Sequence, residues 1–161
     1  MNNPKIRIKV EGFGEMIAEL YPEVAPVTVE NFLSLVRERF FDGLIFHRVI
    51  AGFMIQGGGF DADFNHKEAK AIKGEFAANG YANNTLKHTK GVLSMARTSA
   101  PNSASSQFFI MHADAPHLDG QYAAFGKVVS GMETVDEIAS VPVDYSDRPK
   151  VAMRMKKVYI V

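Results

Sequence analysis

Arg48 is the residue whose place in the sequence is hardest to explain by packing. It stands in the apolar run Leu-Ile-Phe-His-Arg-Val-Ile, beside Phe46, Val49 and Ile50. A guanidinium is costly to bury unless it is paired, and arginine is seldom fully buried. The position therefore predicts either a groove wall that water or ligand reaches, or an ion pair at a strand edge. Phe53, Met54 and Gln56 follow closely, and Gln107, Phe108 and Phe109 come later. Strand alternation puts Gln56 on the face of Met54, and Gln107 on the face of Phe109. Any one of these aromatics also fits a barrel core.

Other chemistries find less support. There is no cysteine, which removes thiol nucleophiles, disulfides, thiolate zinc sites and iron–sulfur clusters together. The histidines are His47, His66, His88, His112 and His117, and none forms an HExxH pair. His112 and His117 share a proline-containing loop, where a zinc site stands beside the simpler reading of surface or hydrogen-bonded histidines. Asp61, Asp63 and Asn65 match the first ligands of a calcium loop, but His66 and Ile72 occupy the positions that need glycine and glutamate. No G-x-S-x-G elbow and no phosphate-binding G-x-x-x-x-G-K-[ST] loop occurs.

The elements that position these residues are short. Ile6, Ile8 and Val10 alternate with Lys5, Arg7 and Lys9, and a second strand runs from Glu15 to Tyr21 after Gly12 and Gly14. This reads as a glycine-turned hairpin, in preference to a dinucleotide loop, because no helical pattern follows. Val29, Phe32, Leu33 and Val36 form one helical stripe, with Pro26 ahead of it, Thr28 as cap and Glu30 near the positive end. Residues 44–56 read as two β-rich runs joined at Ala51-Gly52. Residues 60–90 are irregular, with a turn at Asn79-Gly80. Strands return at 91–96, 107–111 and 123–129. A short helix carries Val135, Ile138 and Ala139, and residues 151–161 close the chain as a strand. Many strands and few helices predict an antiparallel sandwich or barrel with two packed helices.

The 161 residues suit a single domain spanning 1–161. With 47% hydrophobic and 22% charged residues the chain is an ordinary globular one. Eighteen basic residues balance eighteen acidic ones, so nothing calls for a nucleic acid partner. No apolar run is long enough to span a membrane, and the N-terminal residues lack a signal-like apolar stretch. A cytoplasmic location is the expectation.

Several blocks, in order, resemble the cyclophilin family: APVTVENFLSLV at 25–36, FHRVI at 46–50, GFMIQGG at 52–58, GVLSMAR at 91–97, PNSASSQFFI at 101–110 and LDGQYAAFGKV at 118–128. The likeness covers nearly the whole chain and is most similar to compact bacterial members. It implies a mainly β fold, a closed eight-stranded antiparallel barrel capped by two α-helices. It also implies peptidyl-prolyl cis/trans isomerase activity without a cofactor or metal. The alternative is a proline-peptide-binding or chaperone module with little turnover. By resemblance Arg48 and Gln56 are catalytic. Phe53, Met54, Phe109 and Leu118 hold the proline ring, and His47, Ala96, Arg97 and Gln107 line the adjoining groove. Expected partners are Xaa-Pro peptides and unfolded client proteins, met by a monomer.

The chain departs from the commonest family pattern in four places. His117 stands where tryptophan is frequent, which predicts weak binding of cyclosporin-type macrocycles. Tyr122 replaces a groove histidine. Arg97 replaces asparagine and adds a cation, which predicts a preference for acidic flanks. Residues 60–73 lack the usual glycine-rich loop.

Overall fold

The computed structural model describes residues 3–161. Eight strands form one antiparallel sheet: β1 (Lys5–Val10), β2 (Glu15–Leu20), β3 (Arg48–Ile50), β4 (Met54–Gly57), β5 (Val92–Met95), β6 (Phe108–Met111), β7 (Ala124–Ser130) and β8 (Met155–Ile160). Their order across the sheet is β3-β4-β6-β5-β7-β2-β1-β8. Two helices pack on it, α1 (Pro26–Arg37) against β8 and α2 (Met132–Ala139) against β2, β3 and β4. No described helix is long and apolar enough to cross a membrane.

The closed barrel expected from the sequence is overstated. The edge strands β3 and β8 share no ladder. The seam is spanned by an isolated Ile45–Arg154 bridge and by backbone bonds from Gly43 N to Met155 O (2.8 Å) and Met155 N to Leu44 O (2.8 Å). The run 44–56 accordingly yields strand only from Arg48 onward.

The β1–β2 hairpin follows the expected alternation, with Ile6, Ile8 and Val10 buried and Gly12 taking a φ of 81° at the turn. The central strands depart from it. Every residue of β5 and β6 is buried, because both faces of the sheet are covered. Phe108, Ile110, Leu93, Met95 and Phe125 point into the main core, where Phe32 of α1 meets Phe41 at 4.9 Å, Phe108 at 5.2 Å and Phe125 at 5.2 Å. Phe109, Met111, Val92 and Ala124 face outward into a second apolar cluster with Met54, Ala115 and Leu118. Period-2 alternation sorts the residues between the two clusters.

The start of α1 also differs from the expectation. Ala25 is the N-cap and Pro26 fills the first helical position, where its missing N–H costs nothing. Thr28 does not cap, and Glu30 lies beyond the first turn. The carboxylate of Glu75 does both jobs from a distant loop. It accepts bonds from Val27 N (3.2 Å), Thr28 N (2.7 Å) and Thr28 Oγ1 (2.7 Å). An anion there satisfies orphan donors and faces the positive end of the helix dipole.

Candidate active site

Arg48 and Gln56 are cross-strand neighbours in the β3–β4 hairpin. β3 is an edge strand, so Arg48 reaches solvent while Val49 behind it is buried. The Arg48 guanidinium joins none of the ion pairs among the described residues. It donates instead to Gln56 Oε1 at 3.2 Å. Gln56 Nε2 in turn donates to Gln107 Oε1 at 3.1 Å. Gln56 uses both ends of its amide as a relay, so the cation is aimed without being neutralised.

Glycine makes room for that relay. A side chain at Gly59 would come within 2.5 Å of Gln107 Cγ and Nε2. Gly58 takes a φ of 92° and passes close to Ser106 O, which a Cβ there would approach to 2.9 Å. Gly59 thus serves close packing on Gln107, while Gly57 packs on Ile45 O and Phe46 and Gly58 on Ser106 O and Phe41.

Beside the relay, Phe53, Met54, Gln56, Ala96, Arg97, Phe109, Leu118 and Tyr122 line one cavity of about 100 Å³. Phe109 forms its floor and is only 5% exposed. Tyr122 stands edge-on to Phe109, with ring centroids 5.8 Å apart at 85°. The adjoining hollow is lined by Gln56, Arg97, Thr98, Ser103, Ser105 and Gln107 among others, which bring polar side chains to it. The backbone of Arg97 between the two takes part in no hydrogen bond among the described residues.

Arg97 is not a loose cation at the rim. Its guanidinium lies 4.7 Å from the Phe76 ring centroid and 4.6 Å from that of Tyr122. It donates to Thr98 O at 2.9 Å and Gln121 O at 2.6 Å. Two cation–π contacts and two charge-assisted bonds hold the guanidinium against the Tyr122 ring.

Two expected groove residues stand apart from the cavity. His117 is exposed on a short 3-10 turn, Pro116–Leu118, and tilts against Phe53 at 5.8 Å. His47 turns into an aromatic cluster, 4.7 Å from Phe60, which stacks on Phe64 at 4.5 Å. Burial, and next the charge of Arg48, push its pKa down to about 4. His47 is therefore neutral at pH 7, and Arg48 is the charged member of the pair. The loop beneath is stapled by Asp61, whose Oδ1 accepts from Asp63 N (3.0 Å) and Asn65 N (2.9 Å). These bonds spend the carboxylate on its own turn.

Sequence reasoning missed the layer behind the cavity. His88 is fully buried, with Nε2 at 2.8 Å from Ser94 Oγ and Nδ1 at 3.2 Å from Asp119 Oδ1. A carboxylate only accepts, so Nδ1 carries the proton and Nε2 accepts from the Ser94 hydroxyl. Burial lowers the His88 pKa, and Asp119 opposes that shift. The ring stacks behind Phe109 at 6.0 Å. A lone histidine in an irregular segment gives no periodic signal, and only Asp119, in the LDG turn, marks its partner.

The comparisons with known proteins agree with this geometry. The family model for cyclophilin type peptidyl-prolyl cis-trans isomerases matches residues 5–160. A peptidyl-prolyl cis-trans isomerase of Acinetobacter baylyi is 49% identical over 87% of this chain and 74% of its own length. Peptidyl-prolyl cis-trans isomerase B of Escherichia coli is 47% identical over 80% of each chain. A crystal structure of a cyclophilin type isomerase from Cryptosporidium parvum, solved in the presence of the dipeptide Ala-Pro, superposes with a TM-score of 0.85 at 33% identity over 98% of both chains. Family model, relatives and solved structure thus converge along nearly the whole length: the chain belongs to the cyclophilin-type peptidyl-prolyl cis-trans isomerase family.

Proposed function

We propose that this chain accelerates rotation about Xaa-Pro bonds by aiming Arg48 at the proline nitrogen of a ring held in the neighbouring cavity. The amide resists rotation by roughly 18–20 kcal/mol, because nitrogen and carbonyl share electrons. In the twisted transition state that sharing is lost and the nitrogen gains a lone pair. A guanidinium beside it stabilises the twisted form more than the planar one, which is the condition for catalysis. Arginine suits the role because it stays charged and keeps a fixed donor fork. The observation that carries the reading is Arg48 itself, exposed and held by Gln56 at the edge of an apolar cavity.

The cavity suits a ring without hydrogen-bond donors, since Phe53, Met54, Phe109 and Leu118 offer it apolar surface. The unpaired backbone of Arg97 suits an extended peptide, which adds main-chain bonds to such a segment. No nucleophile, acid–base pair, cofactor or metal enters the step. Unfolded client proteins are substrates on this reading, and a monomer acting in the cytoplasm suffices. Cyclosporin-type macrocycles bind weakly, because His117 replaces the tryptophan that donates a hydrogen bond to them in the family. Nanomolar inhibition would contradict that part.

Exchange NMR on a short Ala-Pro peptide tests the reaction. Catalytic amounts of protein should produce cis/trans exchange cross-peaks absent from peptide alone. Shifted peptide resonances without faster exchange would favour the alternative, a non-catalytic binding module.

A further inference from the structure

His112 follows β6 and stands outside the residues assigned to the cavity. Its backbone N–H donates to Phe53 O at 2.9 Å. Its ring Nδ1 accepts the Gly52 N–H at 2.8 Å. Its Nε2 lies 3.1 Å from Asp136 Oδ1 on α2. Because Nδ1 accepts, the ring proton sits on Nε2. It lies beside a buried carboxylate oxygen that has no hydrogen-bond partner and that sits at ion-pair distance from His112 Nε2 and from Lys90 Nζ (3.5 Å). The imidazole is a strut between α2 and the β3–β4 turn.

The turn is closed by the Phe53 N–H bond to Ile50 O (3.0 Å), and at its tip, Ala51–Gly52, the Gly52 bond to His112 is the one hydrogen bond among the described residues. Ala51 and Gly52 are exposed, Gly52 takes a φ of 78°, and β3 is a three-residue edge strand. The next residue, Phe53, is a wall of the cavity. A shift of the turn therefore moves Phe53 while the Arg48–Gln56 pairing, farther down the hairpin, stays in register.

We infer that His112 is a positioning residue for ring binding: by accepting the Gly52 N–H it holds the β3–β4 turn so that Phe53 closes the cavity. The kinetic side rests on the proposed reaction, whereas the affinity side is read from peptide binding alone. Two substitutions separate the contacts. His112→Asn places an amide oxygen near the site of Nδ1 and keeps the Gly52 bond. His112→Gln carries its amide toward Asp136 and gives up the Gly52 acceptor.

The expected result is that His112→Gln weakens Ala-Pro peptide affinity about fivefold, the scale of one hydrogen bond, with the on-enzyme exchange rate within about twofold of wild type. His112→Asn should bind within about twofold of wild type. Equal behaviour of the two variants, the reverse order, or a loss confined to the exchange rate would overturn the inference. If His112→Gln fails to fold, ¹⁵N spectra of the wild type decide. They should show the Nε2–H tautomer and a coupling across the Gly52 N–H···Nδ1 bond, and a ring protonated on Nδ1 overturns it. Absent exchange in wild type, with peptide affinity intact, would sink the proposed reaction and leave this comparison readable.

Discussion

The Arg97 guanidinium donates from its two terminal nitrogens to the carbonyls of Thr98 and Gln121, packs on the rings of Phe76 and Tyr122, and leaves Nε buried without a partner. Its charge reaches a bound peptide only through space, where salt screens it. Acidic flanks should therefore gain less than an unpaired cation would give. Lysine keeps the charge but not the planar fork. We expect Arg97→Lys to lower kcat/KM about three- to tenfold, the scale of one or two lost contacts, by loosening Tyr122. If charge alone matters, Arg97→Lys will match wild type in a salt series and Arg97→Ala will not. Gly59 offers a second test at this scale. An alanine methyl there displaces the Gln107 side chain and breaks its bond to Gln56. Gly59→Ala should cost about tenfold in exchange rate, near the worth of one such bond, with the midpoint of thermal unfolding little changed.

Helix α1 begins with Pro26, and its cap comes from Glu75, which is 4% exposed and far away in sequence. Local reading assigned that job to Thr28, since an N-cap hydroxyl is the usual solution. The tertiary fold brings a carboxylate instead, and no pattern around Glu75 announces it. Glu75→Ala leaves three buried or half-buried donors without a partner and should cost about 2–4 kcal/mol in urea unfolding. Glu75→Gln keeps an acceptor and should cost less. Equal stabilities for the two variants would show that the cap does not matter. The hairpin β1–β2 and the stripe of α1 were legible because one face of each is wet. β5 and β6 were harder to orient, since both faces are covered and alternation in hydrophobicity disappears. The cavity residues of β4 and β6 were nonetheless placed by parity and resemblance, while His88 and His112 lay in segments without period and Ser94 on β5, where burial of both faces hides the alternation.

At the scale of the whole molecule, two histidines contribute to acid sensitivity. His47 falls from its ordinary pKa of 6.5 to about 4, chiefly by burial, and burial lowers His88 as well. Both groups bind protons more readily in the unfolded chain. Stability is therefore fully present above about pH 6.5 and is lost as pH falls toward 4. For His47 the ceiling is about 3 kcal/mol at 1.36 kcal/mol per pKa unit. Urea midpoints measured from pH 7 to 4 should drop, and His47→Gln should flatten part of that slope. A midpoint independent of pH over this window would contradict the burial argument. The barrel itself was legible as a class, but its open seam was not. Whether β3 and β8 pair depends on register across the first and last thirds of the chain, which no local pattern encodes.

In the proposed mechanism Arg48 acts on the transition state more than on the bound peptide. Arg48→Ala, compared with wild type by NMR line-shape analysis of an Ala-Pro peptide, tests this directly, because affinity and on-enzyme exchange are read in one titration. The expected result is a loss of exchange rate on the order of 100-fold or more, as for removal of one donor aimed at a transition state, with peptide affinity within a few-fold. Equal losses in affinity and rate, or an undiminished rate, would contradict it and return Arg48 to the rank of a binding residue.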